Sequence, residues 1–169
     1  HLFDESGRVN DLFDPAGGHW NWNRTVDSSG TVLTTLASAE GDLTTYAEET
    51  GWDGKYTSTV TAADGSVSTS TQSGDDLTQT STLACGTKVT RTYTPDALYQ
   101  VRIPLEFTEV TPAGLTRRNS YTRSYQDTNS DRKMDLITAS ETLNGKRVQA
   151  VDDIISGLIT TTTAAGRTS

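Results

Sequence analysis

Glycines punctuate this chain: Gly7, Gly17, Gly30, Gly41, Gly54, Gly65, Gly74 and Gly86, then Gly114, Gly145, Gly157 and Gly166. Over the first half they fall about ten to a dozen residues apart, the interval of short strands joined by turns. Many precede an aliphatic or aromatic residue and then Thr or Ser, as in SSGTVLTT, WDGKYTST and ADGSVSTS. This is an internal repeat with an imperfect period. The stretch FDESGRV, residues 3–9, gives its physical content. Phe3 is expected to end a strand with its ring toward a core. Asp4 can accept hydrogen bonds from turn amides, Gly7 can take positive φ without a Cβ clash, and Val9 begins the next strand. Asp27 to Val32 repeats the scheme with Gly30 at the same place and no Arg. DPAGGH and TPAGLT are related turns in which Pro15 and Pro112 preset φ.

Composition agrees with an extended chain. Thr and Ser are abundant, Met and Pro scarce, and β-branched side chains fit a pleated surface better than a helix. Disorder is the competing reading of a chain only 33% hydrophobic, and the regular Gly and aromatic spacing weighs against it. From Tyr99 to Phe107 apolar residues alternate with Gln100, Arg102, Pro104 and Glu106, which predicts one strand with an apolar face. Pro104 removes a ladder donor and places that strand at an edge or beside a bulge. The segment VQAVDDIISGL could hold one helical turn, and no domain boundary is visible. The expected fold is all-β, a single segment over 1–169 built from antiparallel strand–turn–strand repeats.

The net charge of −8 disfavours nucleic-acid binding, which needs clustered Lys and Arg. Arg117 and Arg118 read as a solvated strand face. Cys85 is the single cysteine, so neither an internal disulfide nor a thiolate cluster can form. No apolar run approaches membrane-spanning length and no signal peptide is visible. The chain begins and ends in mid-pattern and is expected to be a segment of something longer.

Phe3, Asp4, Gly7, Arg8 and Val9, followed by Asp14, Pro15 and Gly17, resemble the Rhs/YD-repeat family of long bacterial proteins, whose animal relatives include the teneurins. The motif there is roughly aromatic–Asp–x–x–Gly–Arg–aliphatic, then a strand and often Asp–Pro–x–Gly. TTTTAAGRTS, with Gly166 and Arg167, is similar to another linking turn. The middle repeats lack the Arg and often the aromatic, so another β-repeat architecture, a solenoid or a fibre, stays open. The resemblance implies a sheet that winds into a hollow shell, a toxin-enclosing wall or a large extracellular scaffold. It also implies secretion or display on a bacterial surface. The expected partners are neighbouring repeats or further copies covering the open strand edges, with an enclosed toxin domain or a surface glycan beyond them.

The sharpest candidate site is DTNSDRKMD, residues 127–135. Asp127, Asn129, Asp131 and Asp135, with the Lys133 carbonyl, have the alternating spacing of a structural Ca²⁺ loop. Arg132 replaces the usual turn glycine and Thr138 the bidentate Glu, which excludes an EF-hand. The alternative is an Asx-rich hairpin loop without metal. Trp20 and Trp22 project from one strand face, where they either pack the sheet or stack on sugar rings. Catalysis is not expected: His1 and His19 are the only histidines, no nucleophile elbow appears, and Asp75–Asp76 and Asp152–Asp153 read as solvated turn acids. Asn23–Thr25 matches a glycosylation acceptor, which means little if the chain is bacterial, as the resemblance implies. Two readings follow: a non-catalytic wall segment, or a calcium-stabilised module that binds glycan or a cell-surface partner.

Overall fold

A computed structural model describes residues 1–169. The chain forms fourteen strands and no helix. It divides into two compact units, His1–Thr87 and Lys88–Ser169.

The N-terminal unit holds β1 (Leu2–Phe3), β2 (Val9–Phe13), β3 (His19–Val26), β4 (Val32–Ser38), β5 (Leu43–Thr50), β6 (Tyr56–Thr61), β7 (Val67–Gln72) and β8 (Thr78–Thr82). Each pairs antiparallel with its sequence neighbour, from Leu2↔Asp11 through Tyr46↔Val60 to Ser70↔Ser81. The C-terminal unit holds β9 (Lys88–Pro95), β10 (Arg102–Val110), β11 (Thr116–Gln126), β12 (Leu136–Leu143), β13 (Lys146–Asp153) and β14 (Leu158–Thr162). Its strands pair in the same sequential order. No strand packs against any strand except its neighbours in the sequence. Each unit is therefore a meander in one layer, a nearly one-dimensional arrangement in which each hairpin supports only the next.

Nine turns share one design. In the first, the amide of Asp4 donates to the carbonyl of Arg8 and that of Gly7 to the carbonyl of Asp4. Turns of the same form close at 14–18, 27–31, 38–42, 51–55, 62–66, 83–87, 111–115 and 163–167. Their fourth residue is always glycine with positive φ, as a three-residue hairpin loop with a bulged glycine requires. The β12–β13 connection instead uses Asn144–Gly145, both at positive φ, the two-residue solution.

With one layer there is little to bury. Val89, still 9% exposed, is the single buried apolar side chain, while Asp96, Asn119 and Asp135 are more deeply covered than it is. The low apolar content of the sequence matches a sheet held by its ladders and cross-strand pairs rather than by a two-layer core. Phe3 corrects the expectation placed on it: it is 60% exposed, because β1 is a two-residue edge strand with no layer above it.

The strand expected from Tyr99 to Phe107 also differs. Tyr99 and Val101 belong to the turn after β9, in which the Asp96 amide donates to the Val101 carbonyl, and β10 begins at Arg102. Pro104 does stand at a bulge: it pairs with Tyr93, and Glu106 pairs with Thr92, so Leu105 is the extra residue. That insertion changes the phase, placing Ile103 and Phe107 on opposite faces. The expected continuous apolar face does not exist. VQAVDDIISGL forms most of β13 and its following turn rather than helix, and Asp152–Asp153 close that strand.

Candidate functional site: an arginine-rimmed apolar trough

Register divides each sheet into two chemically distinct faces. In the N-terminal unit Leu12, Trp20, Trp22, Leu36, Tyr46 and Val60 share one face. Thr57, Thr59, Thr69, Thr71, Thr80 and Thr82 share the other. Trp20 and Trp22 thus project together as their spacing predicts, half-buried on β3. In the C-terminal unit Thr and Ser again cover one face, while the other alternates cations and rings.

On that second face Arg91 and Arg117 flank a single ring, Phe107, at 5.4 and 5.8 Å from its centroid. Arg102 lies 4.4 Å from the Tyr93 centroid, and Arg123 lies over both Tyr99 and Tyr125. Arginine favours such stacking because its planar cation is attracted by the ring quadrupole and sheds water readily. No carboxylate forms a salt bridge with Arg91 or Arg117. Between these groups runs an apolar trough. A depression of about 330 Å³ is lined by Pro104, Tyr121, Arg123, Ala139, Val148 and Ala150 among others. A second, of about 230 Å³, shares Pro104 and Tyr121 with it and adds Arg91, Tyr93 and Phe107. Its floor is low because Ala139 and Ala150 oppose one another between larger neighbours. Glu141, on its wall, accepts a 2.7 Å hydrogen bond from Asn119 Nδ2, whose buried Oδ1 has no donor.

One end of the trough is held by Asp96, only 1% exposed. Its Oδ1 accepts from the amides of Leu98 and Tyr99, and its Oδ2 from the Tyr125 hydroxyl. Arg123 Nη1 stands 3.9 Å away. The Tyr125 hydrogen bond, then the Tyr99 amide, holds the Asp96 carboxyl below its usual range. Desolvation, then the carboxylate, pushes the Tyr125 phenol up to about 12. The neutral phenol is the donor that locks this turn onto β11.

Of the sequence-derived motif residues, Phe3 and Val9 belong to β1 and β2, while Asp4, Gly7, Asp14, Gly17, Asp27 and Gly30 lie in the turns. Asp4 Oδ1 accepts from the amides of Ser6 and Arg8, Asp14 Oδ1 from Ala16 and Gly18, and Asp27 Oδ1 from Ser29 and Thr31. Pro15 sits between Asp14 and Gly17 in the second turn, Val9 opens β2, and Gly30 and Gly166 hold positive φ. Arg167 donates its amide to Thr163 Oγ1.

The 127–135 loop is closed by its own oxygens. Asp127 accepts from the amides of Ser130 and Arg132, Asn129 from Asp131, and Asp131 from Lys133. Asp135 Oδ2 accepts from both the amide and the hydroxyl of Thr128. No three acidic, His or Cys groups converge there or elsewhere. The loop in this geometry is an Asx-rich hairpin connection whose side-chain oxygens are engaged within the loop.

The trough was not among the sites the sequence suggested. Its signal lay in the halves taken separately. Residues 1–87 carry thirteen acids against three bases, Arg8, Arg24 and Lys55, while residues 88–169 carry nine acids against eleven bases. Compared with known proteins, the chain matches no family model and no curated sequence. Fold and geometry alone define the class: an antiparallel hairpin-repeat protein built one layer thick.

Proposed function

We propose that this chain is a non-catalytic wall segment of a larger secreted or surface-displayed assembly of the Rhs/YD-repeat kind, a shell or scaffold fit to enclose a toxin domain. The observation that carries this reading is the one-layer meander, whose strands touch only their sequence neighbours. Such a ribbon gains more by extension than by closing on itself. Its last strand supports the same reading. Thr161 exchanges backbone hydrogen bonds with Ser169 on the outer side of β14, so the N–H and C=O of Ile159, two residues earlier, face the same open side. Further strands, from neighbouring repeats or other copies, would cover that edge.

The test is solution assembly combined with electron microscopy. The chain is expected to form sheet-continuous oligomers that Ile159→Pro disrupts, since proline removes an outward donor and leaves the β13 ladder intact. A chain that stays a monomer at every concentration and shows no edge pairing overturns the reading.

A further inference from the structure

Trp52 is fully exposed, at the first corner of the 51–55 turn. An indole left wholly in water is costly by comparison with burial, and Trp leads the residues that dominate interfaces. Its turn is nevertheless held rigidly. Gly51 N donates to the Lys55 carbonyl, Gly54 N to the Gly51 carbonyl, and Lys55 N to Asp53 Oδ1. The neighbouring 73–78 turn presses against it so closely that a Cβ on Gly74 would overlap the Asp53 carbonyl. These two turns carry Asp53, Asp75 and Asp76, with Glu49 three residues before the indole at the end of β5 and Lys55 as the one base. The N-terminal unit thus displays a rigid acidic tip with an aromatic anchor.

The trough on β9–β13 is the complement of that tip in both shape and charge. It is apolar along its floor, roomy, and rimmed by Arg91, Arg117 and Arg123. Glu106, Asp96 and Glu141 near it are already engaged by Arg118, Tyr125 and Asn119, and Glu109, opposite Arg117 in the register, forms no salt bridge with it, so Arg91 and Arg117 can meet an incoming carboxylate. We infer that the Trp52 tip of one copy docks in the arginine-rimmed trough of a second copy, a heterologous contact that propagates from copy to copy. The indole fills the apolar floor, and the surrounding carboxylates meet the arginines. This deepens the wall reading and rests on it for the presence of several copies, but uses a contact separate from edge pairing.

The experiment is sedimentation velocity of the whole chain over a concentration series, at low and high salt. Wild type is expected to associate, at least tenfold more weakly in high salt because rim charges are screened. Trp52→Ala and the double variant Arg91→Glu/Arg117→Glu should each lose this association while keeping the wild-type circular dichroism spectrum. Mixed in equal amounts, each also carrying Ile159→Pro so that the strand edge is closed, they should form a dimer and nothing larger. One supplies an intact trough, the other an intact tip, and the remaining surfaces are blocked. Salt-insensitive oligomers that survive Trp52→Ala but not Ile159→Pro overturn this docking and leave the wall standing. Oligomers lost with Trp52→Ala yet indifferent to Ile159→Pro overturn edge pairing instead. A wild-type monomer throughout overturns both, and a mixture that fails to dimerise overturns the pairing of tip with trough.

Discussion

Gly30 sits at φ +88° with no heavy atom in the way of a Cβ, so its constraint is purely conformational. Gly30→Ala is expected to cost about 1–2 kcal/mol, the ordinary penalty for a side chain in the left-handed region, read as a lower urea midpoint. Gly74 is a different case. Its constraint is the Asp53 carbonyl, so Gly74→Ala should cost more than Gly30→Ala and loosen both adjoining turns in hydrogen exchange. Titration supplies a third residue-scale test. Asp27, Asp75 and Asp96 have carboxyls held below the usual range, chiefly by Ser29, Ser73 and Tyr125 respectively. A depressed folded pKa means stability present above the unfolded value of about 3.8 and lost as pH falls through the folded one. Tyr125 runs the other way: its contribution is full below about pH 10 and lost as pH rises toward about 12. Urea midpoints should fall at both extremes, and Tyr125→Phe should reduce the alkaline fall, leaving the part that comes from Tyr56, whose phenol the Glu48 hydrogen bond also raises.

At the scale of elements, the hairpin turn is the repeated unit and the bulge is the exception that shapes the site. Leu105 shifts β10 by one residue, so Pro104 and Phe107 share the face of Tyr121 while Ile103 points to the other. Deleting Leu105 should restore a regular ladder with Pro104 still opposite Tyr93 and Glu106 still opposite Thr92. The expected outcome is a straighter β10 with strand content by circular dichroism retained, because the bulge bends the strand without setting its partners. The 127–135 loop gives an element-scale prediction of its own. Because its carboxylates are engaged by its own amides, millimolar calcium followed by chelator is expected to leave the melting temperature unchanged.

For the molecule as a whole, nearest-neighbour contact has a direct thermodynamic consequence. With no second layer, removing an end strand takes support from one neighbour only. Residues 1–13 should therefore be dispensable, and truncation there should leave amide protection in β5–β7 nearly unchanged. Charge is also a whole-molecule property, and here the total misleads. The net value of −8 disfavours broad phosphate binding, yet it conceals a C-terminal half with more bases than acids. Arg117 and Arg118, adjacent in sequence, project to opposite faces: one stacks on Phe107 and the other pairs with Glu106 at 2.6 Å.

The sequence by itself determined the turns and therefore the fold class. A glycine at the fourth place of each turn, preceded in five of the nine by Asp or Thr at the first, acts within five residues, and nothing distant can reverse a backbone conformation that only glycine takes cheaply. Tertiary structure alone decided the faces, because a single extra residue at Leu105 inverts every side chain beyond it. It also decided that Phe3 lies open, that Trp52 stands bare on a stiff tip, and that Asp96 is bound by a tyrosine 29 positions away. Those outcomes depend on which strands lie side by side, and the register that sets them is a relation between segments that neither segment carries alone.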